Sequence, residues 1–350
     1  VPSRRTFLGL AAAAWLPGED WFSVIRRRWQ ELPSGPVIRD IDGFIRRHYA
    51  PGAPAEGNWW RWRIGLPKKL LDSAVRTGYR GTLLLEAIDH FVPESVLDDY
   101  SGTSTGANRV DLCTVLLLRA VLAGDHGRAA RAVAGLAPVL RYVTEGDGFH
   151  RDGSFIQHTW IPYQGGYGAV LLTGLARLFS VLHGTPWQVR DRQIVHDSVE
   201  RSFAPFIHQG RCMDLVRGRG IARSPSGDRR RAREIAAAVL LMGETATPAE
   251  RARWRGLVKG WGLLDDDTVT ARSGRALLRW LLAERGPLPP ARHDRLHPPP
   301  ARRRGGRVGR DDHPVALGGR RHRRRLRGRR AAPVRPGEHA GGVQVVVLPG

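Results

Sequence analysis

The stretch WFSVIRRRWQEL, residues 21–32, places Trp21, Val24, Ile25, Trp29 and Leu32 at intervals of three and four. Side chains at that spacing share one face of an α-helix, and Arg26 to Arg28 and Gln30 fall largely on the other. The same spacing recurs over 38–49, 59–75, 83–91, 110–123, 129–143, 170–182, 194–207, 235–242, 249–263 and 271–283. Breaks rich in Gly and Pro, such as 51–54 and 184–186, separate these stretches. No stretch alternates convincingly as a strand would. Ten or eleven amphipathic helices must bury their faces against one another, so the sequence predicts an all-α fold built as an array of helix pairs.

Three hundred and fifty residues with 41% hydrophobic side chains suffice for a sizeable core, which excludes a disordered chain. The 56 Lys and Arg exceed the 33 Asp and Glu by 23 charges, and such an excess suggests a polyanionic partner. About half of that excess lies in the last 60 residues. Residues 291–350 hold 16 Arg and four acids, Asp294, Asp311, Asp312 and Glu338, and contain no aromatic residue, Ile, Met, Lys, Ser, Thr or Asn. Such a composition builds no core, so 289–350 is expected to be a disordered Arg/Pro/Gly-rich tail. It suits either a polyanion-binding tail or GC-rich coding sequence read out of frame, and its abrupt onset after 283–285 favours the second. Cys113 and Cys212 are far apart and outside any CxxC, which argues for two buried thiols over a disulfide scaffold or a zinc knuckle.

The chain opens with Arg4 and Arg5 ahead of Phe7 and Leu8, so residues 1–18 resemble a twin-arginine export signal and imply a secreted, extracellular protein. The apolar run over 7–16 is too short to cross a bilayer, and no other stretch approaches the ~20 residues required.

Two segments interrupt the helical pattern, and long irregular segments on a helical scaffold are where binding and chemistry tend to sit. Residues 144–168 combine glycines and aspartates with five aromatic rings, and place His158 and Tyr167 nine apart with Tyr163 between them. Imidazole and phenol can both move protons, although a lone His is more often structural. Residues 214–224 interleave Arg217, Arg219 and Arg223 with glycines, a pattern that suits either carboxylate binding or a solvated basic loop. Upstream, Asn58 leads into Trp59, Trp60 and Trp62, whose indoles suit either a core or a platform for sugar rings. Asn108 stands at an apparent helix start, where an amide either caps the helix or binds a carboxylate. P-loop, GxGxxG, HExxH and GxSxG motifs are absent. Acids such as Asp152 and Asp214 lie near the loops, but nothing in their spacing selects a pair for glycoside hydrolysis.

Taken in order, NWWRWRIGLP (58–67), TGANRVDLC (105–113), DGSFIQHTWIPYQGGYG (152–168) and RGRGIAR (217–223) resemble polysaccharide lyase family 8, which includes hyaluronate, chondroitin AC and xanthan lyases. The resemblance covers roughly 20–287, the family's N-terminal helical domain, and implies an incomplete α/α toroid over 19–288 with a cleft for an acidic polysaccharide. It further implies that Asn108 binds the uronate carboxylate, that His158 and Tyr167 are the catalytic pair, and that Arg219 and Arg223 stabilise a Tyr167 phenolate. Trp59 and Trp60 would hold the sugar chain, with Asn58 and Arg217 of the same strings also assigned to substrate binding. The implied reaction is β-elimination at C4 of a uronic acid, on hyaluronan or chondroitin, or alternatively on xanthan, with no metal or cofactor. A third alternative is a truncated remnant that binds carbohydrate without cleaving it. The implied protein is a monomer whose partner is the polysaccharide, with no nucleic acid and no membrane. Departures from the family are Arg61 and Arg63 where acids are usual, Ala222 where Ser commonly precedes the last Arg, and no recognisable β-sandwich half, in whose place 289–350 stands.

Overall fold

The computed structural model describes residues 20–223 and 227–263. The expectations for 1–18, the helix over 271–283 and the tail over 289–350 lie outside the described residues.

Ten α-helices follow one another among the described residues: α1 (Trp21–Glu31), α2 (Ile41–His48), α3 (Leu66–Thr77), α4 (Leu83–Phe91), α5 (Gly106–Ala123), α6 (His126–Ala134), α7 (Ala169–Leu182), α8 (Gln193–Ser198), α9 (Gly227–Gly243) and α10 (Pro248–Gly260). Local chemistry fixes several of their starts. Asp20, Asp40 and Asp125 accept hydrogen bonds from the backbone N–H of Ser23, Gly43 and Arg128, which satisfies donors that the first turn leaves orphaned. Thr247 and Glu250 cap α10 reciprocally, with Pro248 at its first position.

The helices stack as pairs. α3, α5, α7 and α9 pack in succession, α6 lies on α5, α10 on α9 and α2 on α4. α5 is buried along almost its whole surface, and α7 nearly so. α1 covers both, inserting Phe22, Ile25 and Trp29. This is the paired-helix architecture that the periodicity predicts.

Several polar groups inside the array are partnered in place. Asp111, on the buried face of α5, pairs with Lys68 of α3. Arg76 bonds Asp72 and reaches the carbonyls of Trp29, Gln30 and Leu32, tying the end of α1 to α3. These contacts satisfy carbonyls that the last turn of a helix leaves open.

Three features depart from the sequence reading. First, 129–143 is not one helix: α6 ends at Ala134 and the chain enters β1 (Tyr142–Val143), beside β2 (Gly148–His150), β3 (Phe155–Gln157) and β4 (Ile161–Pro162) in one small sheet of order β1-β2-β3-β4. β1 and β2 are parallel and the other pairs antiparallel, with Phe149 opposite Phe155 and Gln157 opposite Ile161. Strands of two or three residues are too short for an alternating pattern to register. Second, 194–207 is helical only to Phe206 and then joins a hairpin of β5 (Ile207–His208) and β6 (Arg211–Cys212). Third, a π-turn at Gln164–Gly168 runs directly into α7, giving 19 continuous helical residues apolar enough to cross a membrane by length and composition. Two-thirds of that segment's apolar window is buried inside the fold, as for a core helix.

Cys113 and Cys212 are both buried and unpaired, and burial pushes each thiol up to about 12. Iodoacetamide at pH 8 is therefore expected to leave the folded protein unmodified, with two adducts appearing only after denaturation. An adduct on the folded protein, read by mass spectrometry, would contradict the buried placement.

Candidate active site

The π-turn before α7 and the hairpin β3–β4 bring three aromatic side chains together. His158 follows β3 and stands in the left-handed region at φ 58°, as does Thr159 at φ 74°. Non-glycine residues there cost on the order of 1–3 kcal/mol each and persist where the surroundings hold them. Trp160 donates its N–H to the His158 carbonyl at 2.9 Å and Thr159 donates to the Asp147 carboxylate at 2.7 Å, which closes the turn. The imidazole is thereby presented outward, and its ring lies 4.8 Å from that of Tyr167 at a near-perpendicular 87°. Tyr163 packs against Tyr167 at 5.1 Å and is itself buried.

The loop over 214–223 delivers the arginines. Its 3₁₀ turns Asp214–Val216 and Gly218–Arg223 lie against the π-turn that bears Tyr167. The Arg219 guanidinium donates to the Tyr167 hydroxyl at 3.2 Å, while the Arg219 backbone N–H donates to the Tyr163 hydroxyl at 3.2 Å. Tyr163 thus anchors the loop and Tyr167 receives its charge. This close approach depends on Gly218, which has φ +49° and whose hypothetical Cβ would lie 2.4 Å from the Tyr163 ring.

Asn108 lies in the first turn of α5, buried. Among the described residues no hydrogen bond occupies its side-chain amide. The residues immediately before Asn108 and His158 are bonded to each other, Ala107 N–H donating to the Gln157 amide oxygen at 3.1 Å. That bond brings the N-terminus of α5 to the imidazole turn. Next to Asn108, Arg109 is fully buried, its guanidinium 5.4 Å from the centre of the Tyr100 ring and donating to the Asp99 carbonyl at 2.8 Å.

Other expected site residues are placed differently. Arg217 is buried, its guanidinium taken up by the Asp214 carboxylate and the Gly220 carbonyl, so it braces the loop from inside. Asn58 accepts from the Trp60 N–H at 3.0 Å and serves as a cap where its helix begins. Trp59 is half-buried against the core, whereas Trp60 remains 44% exposed. Trp62 is likewise partly buried against the core, its indole N–H donated to the Glu56 carbonyl and its ring packed against Tyr49 and Phe91. The side chain of Arg223 lies outside the described residues. The sequence does not single out Asp147 and Gln157, because their bonds to the start of α5 run between segments 42 and 50 positions apart.

A cavity of about 580 Å³ opens beside this site, lined by Trp60, Lys68 and Lys69 on one side and by Arg177, Arg231 and Glu234 on the other. Asn108, His158 and Tyr167 do not line it. His158 and Tyr167 sit instead on the loops, and Trp60 and Gly65 are the members of the four strings that line the cavity.

Comparison with known proteins accounts for this combination of helical array and loop-borne His, Tyr and Arg. Residues 36–260 match the N-terminal α-helical domain of polysaccharide lyase family 8, and the chain belongs to that family. A hyaluronate lyase of Thermasporomyces composti is 44% identical over 238 residues, covering 66% of this chain and 30% of that protein. A xanthan lyase of Bacillus sp. (strain GL1) is 34% identical over 226 residues, 62% of this chain and 23% of that protein. Among solved structures, the Streptomyces coelicolor A3 chondroitin AC lyase in complex with chondroitin sulphate superposes with a TM-score of 0.63 at 36% identity, over 77% of this chain and 42% of that one. The chain thus spans about 30% of the length of the hyaluronate lyase it matches. The helical domain that the resemblance implies is the fold observed.

Replacing Gly218 tests how tightly the arginine loop is seated. Gly218→Ala adds a Cβ that must displace the Tyr163 ring at a positive φ. It is expected to cost at least about 1 kcal/mol, a fall in Tm of about 2–4 °C for a domain of this size. An unchanged melting curve by circular dichroism would show that the loop does not need this close approach.

Proposed function

We propose that this chain carries the catalytic residues of a polysaccharide lyase that cleaves a uronate-containing polysaccharide, hyaluronan or chondroitin, by β-elimination. The observation that supports this most directly is the contact of the Arg219 guanidinium with the Tyr167 hydroxyl, with His158 packed on the same ring. Family membership supports the reaction class, and the identity with a hyaluronate lyase exceeds that with a xanthan lyase.

The chemistry follows from what each group can do. The C5 proton of a uronate is weakly acidic while the adjacent carboxylate keeps its full charge. Asn108 donates to that carboxylate, so charge arriving from C5 delocalises into it, and one such preorganised donor is worth ~3 kcal/mol in the transition state. Tyr167 removes the C5 proton, and the positive Arg219 beside its oxygen stabilises the negative charge there. The C5 carbanion expels the C4 oxygen with its bonding electrons, a C4=C5 double bond forms, and Tyr167 returns the proton to the leaving oxygen. His158 orients the sugar or shares the base role. The half-exposed Trp60 offers an indole face to the apolar C–H side of a sugar ring.

The reading is tested by ultraviolet absorbance of the unsaturated uronate while the purified chain is incubated separately with hyaluronan, chondroitin and xanthan. A rise on the first two and not on xanthan is expected. Tyr167→Phe should lower the rate by about 10²-fold or more, the range lost with a general acid–base group. Trp60→Ala should raise KM with little change in kcat. Preferential release from xanthan would select the xanthan-type reading. Binding to any of the three polymers with no absorbance rise would identify a carbohydrate-binding remnant.

A further inference from the structure

The N-terminus of α5 is not capped by its own sequence. Thr105 stands at the cap position, yet its hydroxyl makes no bond to the first turn and donates instead to the Asp147 carboxylate at 2.6 Å. The helix has no acid in its first turn. Its leading N–H groups are met from elsewhere: Gly106 N–H by the Tyr100 hydroxyl at 2.9 Å, and Ala107 N–H by the Gln157 amide oxygen at 3.1 Å. Gln157 is fully buried and donates its amide to the same Asp147 oxygen at 2.7 Å. The other oxygen of Asp147 accepts the Thr159 N–H at 2.7 Å. Gly106 makes this possible, since at φ +49° its hypothetical Cβ would lie 2.1 Å from the Gln157 oxygen.

We infer that Asp147, acting with Gln157, is the positioning residue that sets Asn108 against His158, an inference that rests on the roles proposed for those two residues. One carboxylate holds both segments, through Thr105 at the start of α5 on one side and through Gln157 and Thr159, which flank His158, on the other. No Lys or Arg pairs with Asp147 among the described residues, so its bonds come from neutral donors and its function is geometric. The positive end of the α5 dipole, which its own first turn does not offset, favours a carboxylate at this place. Because all three donors point at it, only an acceptor on both sides satisfies the site. An Asn at 147 has one oxygen and one NH₂, and in either orientation it confronts a donor with a donor on one side.

Amide hydrogen exchange of the full chain, resolved at single residues, tests this without requiring turnover. In Asp147→Asn, the amides of Thr159 or Ala107 are expected to exchange about tenfold faster or more, while those of α7 and α9 keep their protection. In Gln157→Met, which keeps the side-chain volume and removes the amide, the Ala107 amide is expected to be released. Parent-like protection of Ala107 and Thr159 in both variants would overturn the proposal, as would a loss spread evenly over the whole domain. On any polymer the parent cleaves, Asp147→Asn should lower kcat by about tenfold or more while KM stays within about twofold, and unchanged kcat would overturn the positioning role. A parent chain that cleaves no polymer counts against the proposed activity alone, since the exchange result stands without turnover.

Discussion

Burial of α5 on almost every side is the constraint from which the rest of the architecture follows. Successive residues Val115, Leu116, Leu117 and Leu118 point apolar side chains around the whole circumference of α5, so it must be enclosed by other elements. α3, α6 and α7 enclose it, α1 lies across it, and α9 extends the array beyond α7. The enclosure also fixes where polar groups of α5 emerge. Asp111 meets Lys68 inside the array, and only the N-terminal turn opens toward the loops.

That opening carries Asn108, and the loops around it are held by tertiary bonds more than by local ones. The small sheet β1–β4 turns the chain so that His158 leaves β3 in the left-handed region, and the following π-turn swings Tyr167 back beneath it. Tyr163, buried beside Tyr167, receives the backbone N–H of Arg219 in the arginine loop. The helical scaffold thus supports a candidate site in which His158, Tyr167 and Arg219 come from irregular segments and Asn108 from the first turn of α5. Energetically, the strained His158–Thr159 turn is offset by the two hydrogen bonds that close it.

Much of this was legible in the sequence. Spacings of three and four located all ten described helices, α4 to its exact ends, because amphipathic burial imposes that period on the chain itself. The four short strings located the His, Tyr and Arg segments. Less legible was which member of each string faces outward. Trp59, Trp60 and Trp62 are near neighbours, yet Trp60 is exposed while Trp59 and Trp62 are partly buried against the core, since a helix turns each in a different direction. Arg217 and Arg219 are two residues apart, yet the first is a buried brace and the second reaches Tyr167.

The sequence by itself determined the helical class, the paired packing, the burial of Cys113 and Cys212 and the family, because each is written in spacing or in contiguous strings. Only the tertiary structure decided the small sheet, the separate roles of Arg217 and Arg219, and the bonding of Asp147 to Thr105, Gln157 and Thr159. Strands of two or three residues leave no periodic trace, and a hydrogen bond between segments some 50 positions apart has no local signature. Such contacts exist once α5 is enclosed and its open end is brought against the loops.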